Sequence, residues 1–461
     1  MVERVVLLGG GPAGITAAKL LRRKRPDWEV TMIRPERASM IYCAIPYVIE
    51  GLFGQEKVCK SDALVTDTGA RLVIDEATRV DFTSREIHTG RNGLFPFDRL
   101  LIATGARPVL PPIQGLDGAR NVFPVKTEED LSAILGAMTE RSRQAVVVGA
   151  GNIGIEMAQA FARRGLKTTL IEMAPHILPA LVDADMASPL EDRLRALGVD
   201  VRTGVGLCAV EQDGERVVKG LLLSNGDRLG LNEGGRDDLI VVSAGVRPNV
   251  ELFEGTRLHI GRTGIVVDSA MATNITGVWA AGDCCEYRSF IDGEIAGGKL
   301  ATNAVPMAKV AARNMVGEEW HYQGFLNGAA TVVEKLRVGG TGFTEELCLR
   351  KGIDVVVGHG ETTSRFPMMP EATKVRVKLI FRDDDGRLLG GQAFGGEAVA
   401  ERIDLLTLAI KSSATIEDLM NFDYSSQPWQ TFFPAANAIV MAAEEAWARK
   451  ADRSRAERCP E

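Results

Sequence analysis

Apolar and polar residues follow the order strand, glycine-rich turn, helix and strand at two places in the chain. The first repeat predicts strand 5–8, turn 9–14, helix 13–25 and strand 29–33. The second repeat predicts strand 145–148, turn 149–154, a helix ending near residue 164 and strand 168–171. A glycine-rich turn between a buried strand and a helix is typical of a βαβ element that binds a dinucleotide.

A constant spacing links the two repeats. Gly149 follows Gly9 by 140 residues, and Gly245 follows Gly105 by the same 140 residues. Gly105 and Gly245 lie in the related sequences Thr-Gly-Ala-Arg-Pro and Ala-Gly-Val-Arg-Pro. Because two unrelated motifs recur at one spacing, we predict two similar dinucleotide-binding domains in tandem.

The chain beyond residue 248 predicts a return to the first domain and then a third domain. Strand-like segments at 265–268 and 278–283 follow the second repeat, and we expect them to complete the first domain. Strands 374–381 and 388–394 with helices 398–412 and 435–448 are typical of an α+β domain. The predicted fold class is α/β, with two tandem Rossmann-like domains plus a C-terminal α+β domain. The predicted limits are 1–115 with 250–323 for the discontinuous first domain, 116–249 for the second, 324–450 for the third, and 451–461 for a charged, frayed tail.

Composition and charge narrow the class of protein. The 461 residues are 45% hydrophobic and 25% charged, which excludes a disordered or collagen-like chain. A net charge of −7 without a basic block argues against nucleic-acid binding. Seven cysteines without paired spacing and only five histidines argue against a metal site. No secretory signal or membrane-spanning segment is evident, so we expect a cytoplasmic protein with reduced thiols.

Both glycine turns are candidate pyrophosphate sites, because glycines let a phosphate approach the N-terminus of the following helix. The alternative interpretation is a glycine turn that holds no ligand. The candidate residues are Gly9, Gly11, Pro12, Ala13 and Gly14 in the first turn, and Gly149, Gly151, Asn152, Ile153 and Gly154 in the second.

The two repeats differ in the residue that follows the second strand of the repeat. Glu172 stands where an acid would bind a ribose diol, and no arginine lies within 173–179 to bind a 2′-phosphate. This favours NADH over NADPH. The first repeat instead ends its strand in Ile33-Arg34-Pro35, so Glu36 is the nearest acid and the candidate ribose ligand. Two dinucleotide sites in one chain predict FAD together with a nicotinamide cofactor.

A Ser-x3-Cys-x2-Pro-Tyr sequence runs from Ser39 through Cys43 to Tyr47. With Ala103-Thr104-Gly105 and Ala281-Gly282-Asp283, it resembles the flavoprotein disulfide reductases over about residues 1–450. The similar branch is the single-cysteine one, which contains coenzyme A disulfide reductases, NADH-dependent persulfide or polysulfide reductases, and NADH oxidases and peroxidases. The resemblance implies an NADH-dependent FAD enzyme with Cys43 as its redox-active residue. It also implies that the third domain is a dimerisation domain and that the protein is a homodimer.

The resemblance assigns roles to further residues. The helix beginning near Thr302 would direct its positive end at the flavin, and Asp283 would accept a hydroxyl of the FAD ribityl chain. Glu156 would lie near the nicotinamide, with a helix-surface carboxylate as the alternative. Tyr424 would reach Cys43 from the partner subunit, with simple packing as the alternative. The cofactor-binding residues implied in this way are Ser39, Cys43, Ala103, Thr104, Gly105, Glu156, Gly245, Gly282, Asp283, Asn303 and Ala304.

The electron acceptor stays open at this stage. Val48 occupies the position of the second cysteine of glutathione-reductase-like enzymes, so Cys43 would react with an outside sulfur compound. Pro12-Ala13 replaces the histidine usual in the oxidases and peroxidases, and segment 365–370 lacks a tyrosine found in coenzyme A disulfide reductases. A small disulfide, persulfide or polysulfide is favoured. The alternatives are an NADH oxidase that uses oxygen or a quinone, and a flavin-bound redox sensor. The adjacent Cys284 and Cys285 are interpreted as packing residues.

Overall fold

The computed structural model describes residues 2–232 and 237–458; Cys459 and the end of the tail lie outside the described residues. The chain forms two compact units. Unit 1 comprises the residues up to Val109, Val125–Ser132 and Gly245–Phe325. Unit 2 comprises Leu110–Pro124, Ala133–Ala244 and the residues from Leu326 onward. The predicted third domain therefore shares a compact unit with the second repeat.

A parallel sheet forms the centre of unit 1. Val5, Val6, Leu7 and Leu8 are all buried, as expected of a strand covered on both faces. The returning chain adds an edge strand, in which Trp279 pairs with Leu101. The strand order is Val278–Ala280, Arg99–Ile102, Arg4–Leu8, Glu29–Arg34 and Arg71–Ile74. An antiparallel meander is attached to it, with strands Ala77–Asp81, Glu86–Thr89 and Leu94–Pro96.

Unit 2 repeats this architecture. Its parallel sheet has the order Val122–Pro124, Leu239–Val242, Gln144–Val148, Lys167–Ile171 and Asp200–Arg202. The accompanying meander has strands Leu207–Gln212, Val218–Leu223 and Arg228–Gly230. Buried aliphatic residues from the sheet and the meander form one shared core. The strands that precede the two glycine turns, Arg4–Leu8 and Gln144–Val148, thus occupy the same central place in their respective sheets.

The C-terminal part of unit 2 contains an antiparallel sheet. Its strand order is Ala329–Val333, Leu336–Gly342, Leu388–Gly395, Lys374–Arg382 and Val355–Thr363. A Cβ atom on Gly358 or Gly360 would overlap carbonyl oxygens of the helix Ala438–Arg458. The glycines therefore let the helix backbone lie directly against this strand. The same helix continues through residues predicted to be a frayed tail, as far as Arg458.

The helices that the sequence pattern predicts are present, and the structure adds helices that it did not predict, among them Glu128–Ala137 and Ala184–Ala196. Their bounds are Pro12–Lys24, Ile45–Glu50, Ala63–Thr66, Glu128–Ala137, Asn152–Arg163, Ala184–Ala196, Ala301–Met315, Glu345–Lys351, Val399–Lys411, Ile416–Asn421 and Ala438–Arg458. Short two-stranded ribbons pair Ser39–Met40 with Cys59–Lys60, Ala106–Pro108 with Val246–Pro248, and Tyr287–Arg288 with Ile295–Ala296.

Candidate active site

The first glycine turn can be made only by glycine at its two close-packed positions. Gly9 has φ +123°, and a Cβ atom there would overlap the carbonyl oxygen of Ala103. A Cβ atom on Gly14 would overlap the carbonyl oxygen of Gly9. Gly149 and Gly154 are constrained in the same way in the second turn.

The outer face of each turn is open. Apart from each glycine's own chain neighbours, no atom of the described residues lies within 4 Å of a Cβ atom built on Gly11 or Gly151. The helices Pro12–Lys24 and Asn152–Arg163 follow directly, and within the part of the chain that the structure describes no side chain caps either N-terminus. Free N–H groups at the start of a helix bind phosphate oxygens. Both turns therefore have the shape and polarity that a dinucleotide pyrophosphate requires.

The two candidate ribose ligands differ in their surroundings. Glu172 Oε2 accepts a hydrogen bond of 2.7 Å from the Ala150 amide, and Oε1 accepts one of 2.8 Å from the Ala174 amide. The carboxylate is therefore held beside the second glycine turn. Glu36 is exposed on the loop after the first repeat, two residues beyond the buried Arg34.

Residues separated widely in sequence meet at the start of the helix Ala301–Met315. A Cβ atom on Gly282, which has φ +86°, would lie 3.4 Å from the Cβ atoms of both Ala13 and Ala304. Asn303 is buried, and Tyr322 donates a hydrogen bond of 3.4 Å to its Oδ1 atom. Asn303 Nδ2 has no hydrogen-bond partner among the described residues, and neither does the buried Ser39 hydroxyl. Buried polar side-chain atoms usually have a hydrogen-bond partner, and both of these atoms belong to residues predicted to bind FAD.

Asp283 is the centre of a charged cluster that the sequence motifs did not reveal. Lys126 Nζ lies 3.3 Å from Asp283 Oδ2, and the Tyr287 hydroxyl donates a 3.3 Å hydrogen bond to Oδ1. Lys126 Nζ also lies 5.7 Å from the centre of the Tyr42 ring. Burial, reinforced by the Glu36 carboxylate, raises the pKa of Tyr42 to about 12, so its hydroxyl is neutral at physiological pH.

Cys43 is an exposed thiol in the short 3-10 turn Tyr42–Ala44, directly before the helix Ile45–Glu50. An amide hydrogen bond of 2.8 Å from Ile41 to Val58 ties the preceding residues to the neighbouring ribbon. Val48 is buried in the core, at the position where related enzymes place a second cysteine. The turn therefore presents one thiol to solvent close to the start of a helix.

Other described cysteines differ from Cys43 in environment. Cys284 and Cys285 are fully buried, with their sulfurs 3.9 Å apart, and burial raises the pKa of Cys285. Burial also raises the pKa of Cys348 to about 12. Cys59 is half-buried, whereas Cys208 is exposed. Of the two exposed cysteines among the described residues, Cys43 lies in unit 1 and Cys208 in unit 2. Cys43 is therefore the candidate reactive thiol of unit 1.

The two exit motifs form an antiparallel ribbon in unit 1. Ala106–Pro108 pairs with Val246–Pro248. The Thr104 hydroxyl donates to the backbone carbonyl of Asn249 at 2.7 Å, and the backbone N–H of Asn249 donates to the Gly105 carbonyl at 2.9 Å. Ala103, Thr104 and Gly105 are thereby fixed at the end of the strand that borders the first glycine turn.

Two further candidates lie in unit 2. Glu156 is buried, and its Oε1 accepts a 2.9 Å hydrogen bond from the Thr331 hydroxyl of the C-terminal sheet. Tyr424 is exposed, and its hydroxyl donates a 2.8 Å hydrogen bond to the Pro434 carbonyl. Its ring packs against Phe422 and Phe432. The roles predicted for both residues stay predictions.

Residues 2–232 and 237–458 contain neither a candidate metal site nor a candidate membrane-spanning helix. No group of His, Cys, Asp and Glu there could hold a metal ion. None of the helices in these ranges is long and apolar enough to cross a membrane.

Comparison with known proteins identifies the class. Residues 3–308 match the family model of pyridine nucleotide-disulphide oxidoreductases, and residues 329–430 match the dimerisation domain of the same family. The chain belongs to this family. It is an NAD(P)H-dependent flavoprotein oxidoreductase, and the predicted resemblance and fold class are confirmed.

Individual relatives match over nearly the whole chain. An NADH oxidase of Methanocaldococcus jannaschii is 34% identical, over 92% of this chain and 95% of that protein. An NAD(P)H coenzyme A polysulfide/persulfide reductase of Pyrococcus horikoshii is 29% identical, over 96% of this chain and 98% of that protein. The solved structure of an NAD-dependent persulfide reductase from A. fulgidus is 30% identical with a TM-score of 0.90. That match covers 97% of this chain and 84% of the other.

Proposed function

We propose that the protein uses NADH and FAD to reduce a small disulfide, persulfide or polysulfide through Cys43. The observation that carries this proposal is the exposure of Cys43 on the unit that also contains the buried, unpartnered polar atoms of Ser39 and Asn303. A thiol that must meet an outside sulfur compound has to be accessible, and the buried Cys284 and Cys285 are not.

The cofactor would be held by residues of unit 1. The N–H groups of the helix starting at Pro12 would bind the FAD pyrophosphate, and Asp283 would accept a hydroxyl of its ribityl chain. Ser39 Oγ and Asn303 Nδ2 would find their hydrogen-bond partners in the flavin half. Lys126, whose Nζ lies 3.3 Å from Asp283 Oδ2, would hold that carboxylate in place. When bound, FAD would accept a hydride from NADH and deliver its two electrons to a sulfur–sulfur bond.

Cys43 would carry the substrate during reduction. Its thiolate attacks one sulfur of R–S–S–R′, so that a bond forms between Cys43 Sγ and that sulfur while R′S⁻ leaves with the electron pair of the broken bond. Two electrons derived from NADH then cleave the new Cys43–S–S–R bond. RS⁻ takes a proton from solvent, and Cys43 is restored as a thiolate. A persulfide follows the same course and releases sulfide.

The nicotinamide cofactor is proposed to be NADH. Glu172 is held beside the second glycine turn, where its charge would repel a 2′-phosphate and its oxygens can accept from a ribose diol. The A. fulgidus relative is described as NAD-dependent, which supports the same preference.

The active unit is proposed to be a homodimer in which Tyr424 reaches Cys43 of the other subunit. The match to the family dimerisation domain supports the dimer, and the exposed ring of Tyr424 is free to contact another chain. The cytoplasmic location stays a prediction from the sequence.

A second candidate is an NADH oxidase that passes electrons to oxygen or a quinone. The 34% identical relative carries the name NADH oxidase, which favours it. Pro12-Ala13 in the first turn speaks against it, because a histidine there is the group that would act on oxygen species.

An anaerobic reaction sequence separates the two candidates. The purified holoenzyme is reduced with NADH, and then coenzyme A disulfide, polysulfide, a quinone or oxygen is added while flavin absorbance is recorded. We expect polysulfide or a disulfide to reoxidise the flavin fastest. Fastest reoxidation by oxygen, with water or peroxide as product, would instead establish the oxidase.

A further inference from the structure

The two βαβ repeats end their second strands with side chains of opposite charge. The Gly9 amide donates to the Ile33 carbonyl, and the Gly149 amide donates to the Ile171 carbonyl, both at 2.8 Å. The residues that follow, Arg34 and Glu172, therefore occupy equivalent positions. A guanidinium has no hydrogen-bond acceptor, so Arg34 cannot bind a ribose diol as a carboxylate does. The adenosine end of the first site requires a different acceptor.

Arg34 is fully buried, with 1% of its surface exposed. Its Nε donates to the Glu36 carbonyl at 3.0 Å, and one terminal nitrogen donates to the Arg37 carbonyl at 2.8 Å. That nitrogen also lies 2.5 Å from Asp62 Oδ1, which supplies the counter-charge. A planar, fork-shaped donor that engages two successive carbonyls fixes the path of the loop containing them.

The glycine turn is adapted to this arginine. A Cβ atom on Gly10 would overlap Cδ of Arg34, so the side chain crosses the turn where only glycine leaves room. The equivalent residue of the second repeat is Ala150, whose amide donates to Glu172 at 2.7 Å. At this place in the fold, the first repeat therefore combines Gly10 with Arg34, whereas the second combines Ala150 with Glu172.

We propose that Arg34 is a positioning residue that shapes the loop of residues 35–38, so that Glu36 accepts hydrogen bonds from the adenosine ribose of FAD. Glu36 is exposed, and its carboxylate accepts no hydrogen bond from any described residue. Compared with the second repeat, the first has a base in place of an acid after the strand, and its nearest acid lies two residues later on a loop that this base holds. The inference rests on the FAD binding of the proposed function.

The test compares two flavins on flavin-depleted full-length enzyme. FAD contains the adenosine ribose and FMN does not, so FMN binding reports whether the flavin pocket itself is intact. Arg34→Met and Glu36→Gln should each weaken FAD binding about tenfold, as expected for the loss of a hydrogen bond to a charged group. Each should leave FMN affinity within about twofold. Arg37→Met is the matched control, because Arg37 contributes only its carbonyl.

The double variant distinguishes positioning from general damage. If Arg34 acts through Glu36, the double variant should bind FAD no more weakly than either single variant. Unchanged FAD affinity in Glu36→Gln, or an equal loss of FMN and FAD affinity in Arg34→Met, would overturn the inference. A wild-type enzyme that binds no FAD would defeat the proposed function instead.

Discussion

Glu172 is the residue on which the choice of nicotinamide cofactor depends. Both of its carboxylate oxygens accept backbone amides of the surrounding turns, so its position is set before any ligand arrives. A preformed negative charge beside the adenosine ribose favours a diol and disfavours a phosphate.

Replacing this carboxylate should narrow the preference for NADH. Glu172→Gln keeps the size of the side chain and removes the charge, so kcat/KM for NADH should fall about tenfold while kcat/KM for NADPH rises. Steady-state rates with both cofactors measure the ratio, and Glu215→Gln, on an exposed surface turn, is the control. An unchanged ratio would show that Glu172 does not contact the ribose.

The site role of a residue could be predicted where the residue belongs to a sequence motif. It could not be predicted where only the fold brings the residue to the site. The glycines of both turns could be assigned from spacing, because close backbone approach demands glycine. Lys126 could not, because 157 residues separate it from Asp283 and no local pattern relates them. Arg34 was seen only as a departure from the expected acid, since its burial and partners depend on the loop geometry.

At the scale of elements, the ribbon formed by the two exit motifs is held by an ion pair. Arg107 contacts Glu251, and Arg247 Nη2 lies 3.8 Å from the same carboxylate. The hydrogen bond from Arg107 lowers the pKa of Glu251 to about 2, from an ordinary value of 4.5. A carboxylate with a depressed pKa stabilises the fold above its ordinary pKa and loses that contribution as the pH falls toward 2.

Glu251→Gln should therefore lower the melting temperature at pH 7 and have a progressively smaller effect between pH 4.5 and pH 2. The pair is partly exposed, so its contribution should stay below about 1 kcal/mol. Melting curves of wild type and variant across this range provide the measurement, and Glu76→Gln, at an exposed carboxylate of unit 1, is the control. A difference that does not change with pH would contradict the assignment.

The elements themselves were predicted where hydrophobic periodicity is strong. The strands Arg4–Leu8 and Gln144–Val148 and the helices after them agree with the pattern, because their buried faces impose it. The strands of both meanders were not predicted. Strands such as Ala77–Asp81 and Leu207–Gln212 have few buried residues, so they lack the continuous apolar run of the central strands. The 3-10 turn at Tyr42–Ala44 was likewise not separable from the helix that follows it.

At the scale of the whole molecule, a second copy of the chain is expected to complete each active site. The exposed Tyr424 donates its hydroxyl hydrogen to Pro434, which fixes the direction of the ring. Tyr424→Phe should slow disulfide or persulfide turnover about tenfold, as for one lost hydrogen bond, and leave NADH reduction of the flavin unchanged. Stopped-flow and steady-state assays separate these steps, and a fully active monomer by light scattering would rule the arrangement out.

The tandem architecture could be predicted because the repeats share one spacing. The division into compact units could not, because it depends on contacts rather than on order along the chain. The segment Val125–Ser132 follows a strand of the second sheet but belongs to unit 1, where Lys126 pairs with Asp283. The C-terminal sheet joins unit 2 through contacts such as that between Thr331 and Glu156.

Centrally, we propose that the Cys43 sulfur forms a bond to the substrate, and that the substrate is reduced when two electrons cleave this bond. Cys43→Ser should bind FAD and be reduced by NADH at the wild-type rate, because neither step uses the thiol. NADH oxidation that depends on a disulfide or polysulfide should fall to background, since serine cannot form a sulfur–sulfur bond.

The decisive measurement is anaerobic NADH consumption with polysulfide or coenzyme A disulfide, compared among Cys43→Ser, Cys208→Ser and Cys284→Ser. Cys208 provides an exposed control thiol and Cys284 a buried one. We predict that, of these three variants, only Cys43→Ser loses substrate-dependent turnover, while its flavin is still reduced by NADH. Full turnover in Cys43→Ser, or its loss in Cys284→Ser with the flavin still reducible, would contradict the account.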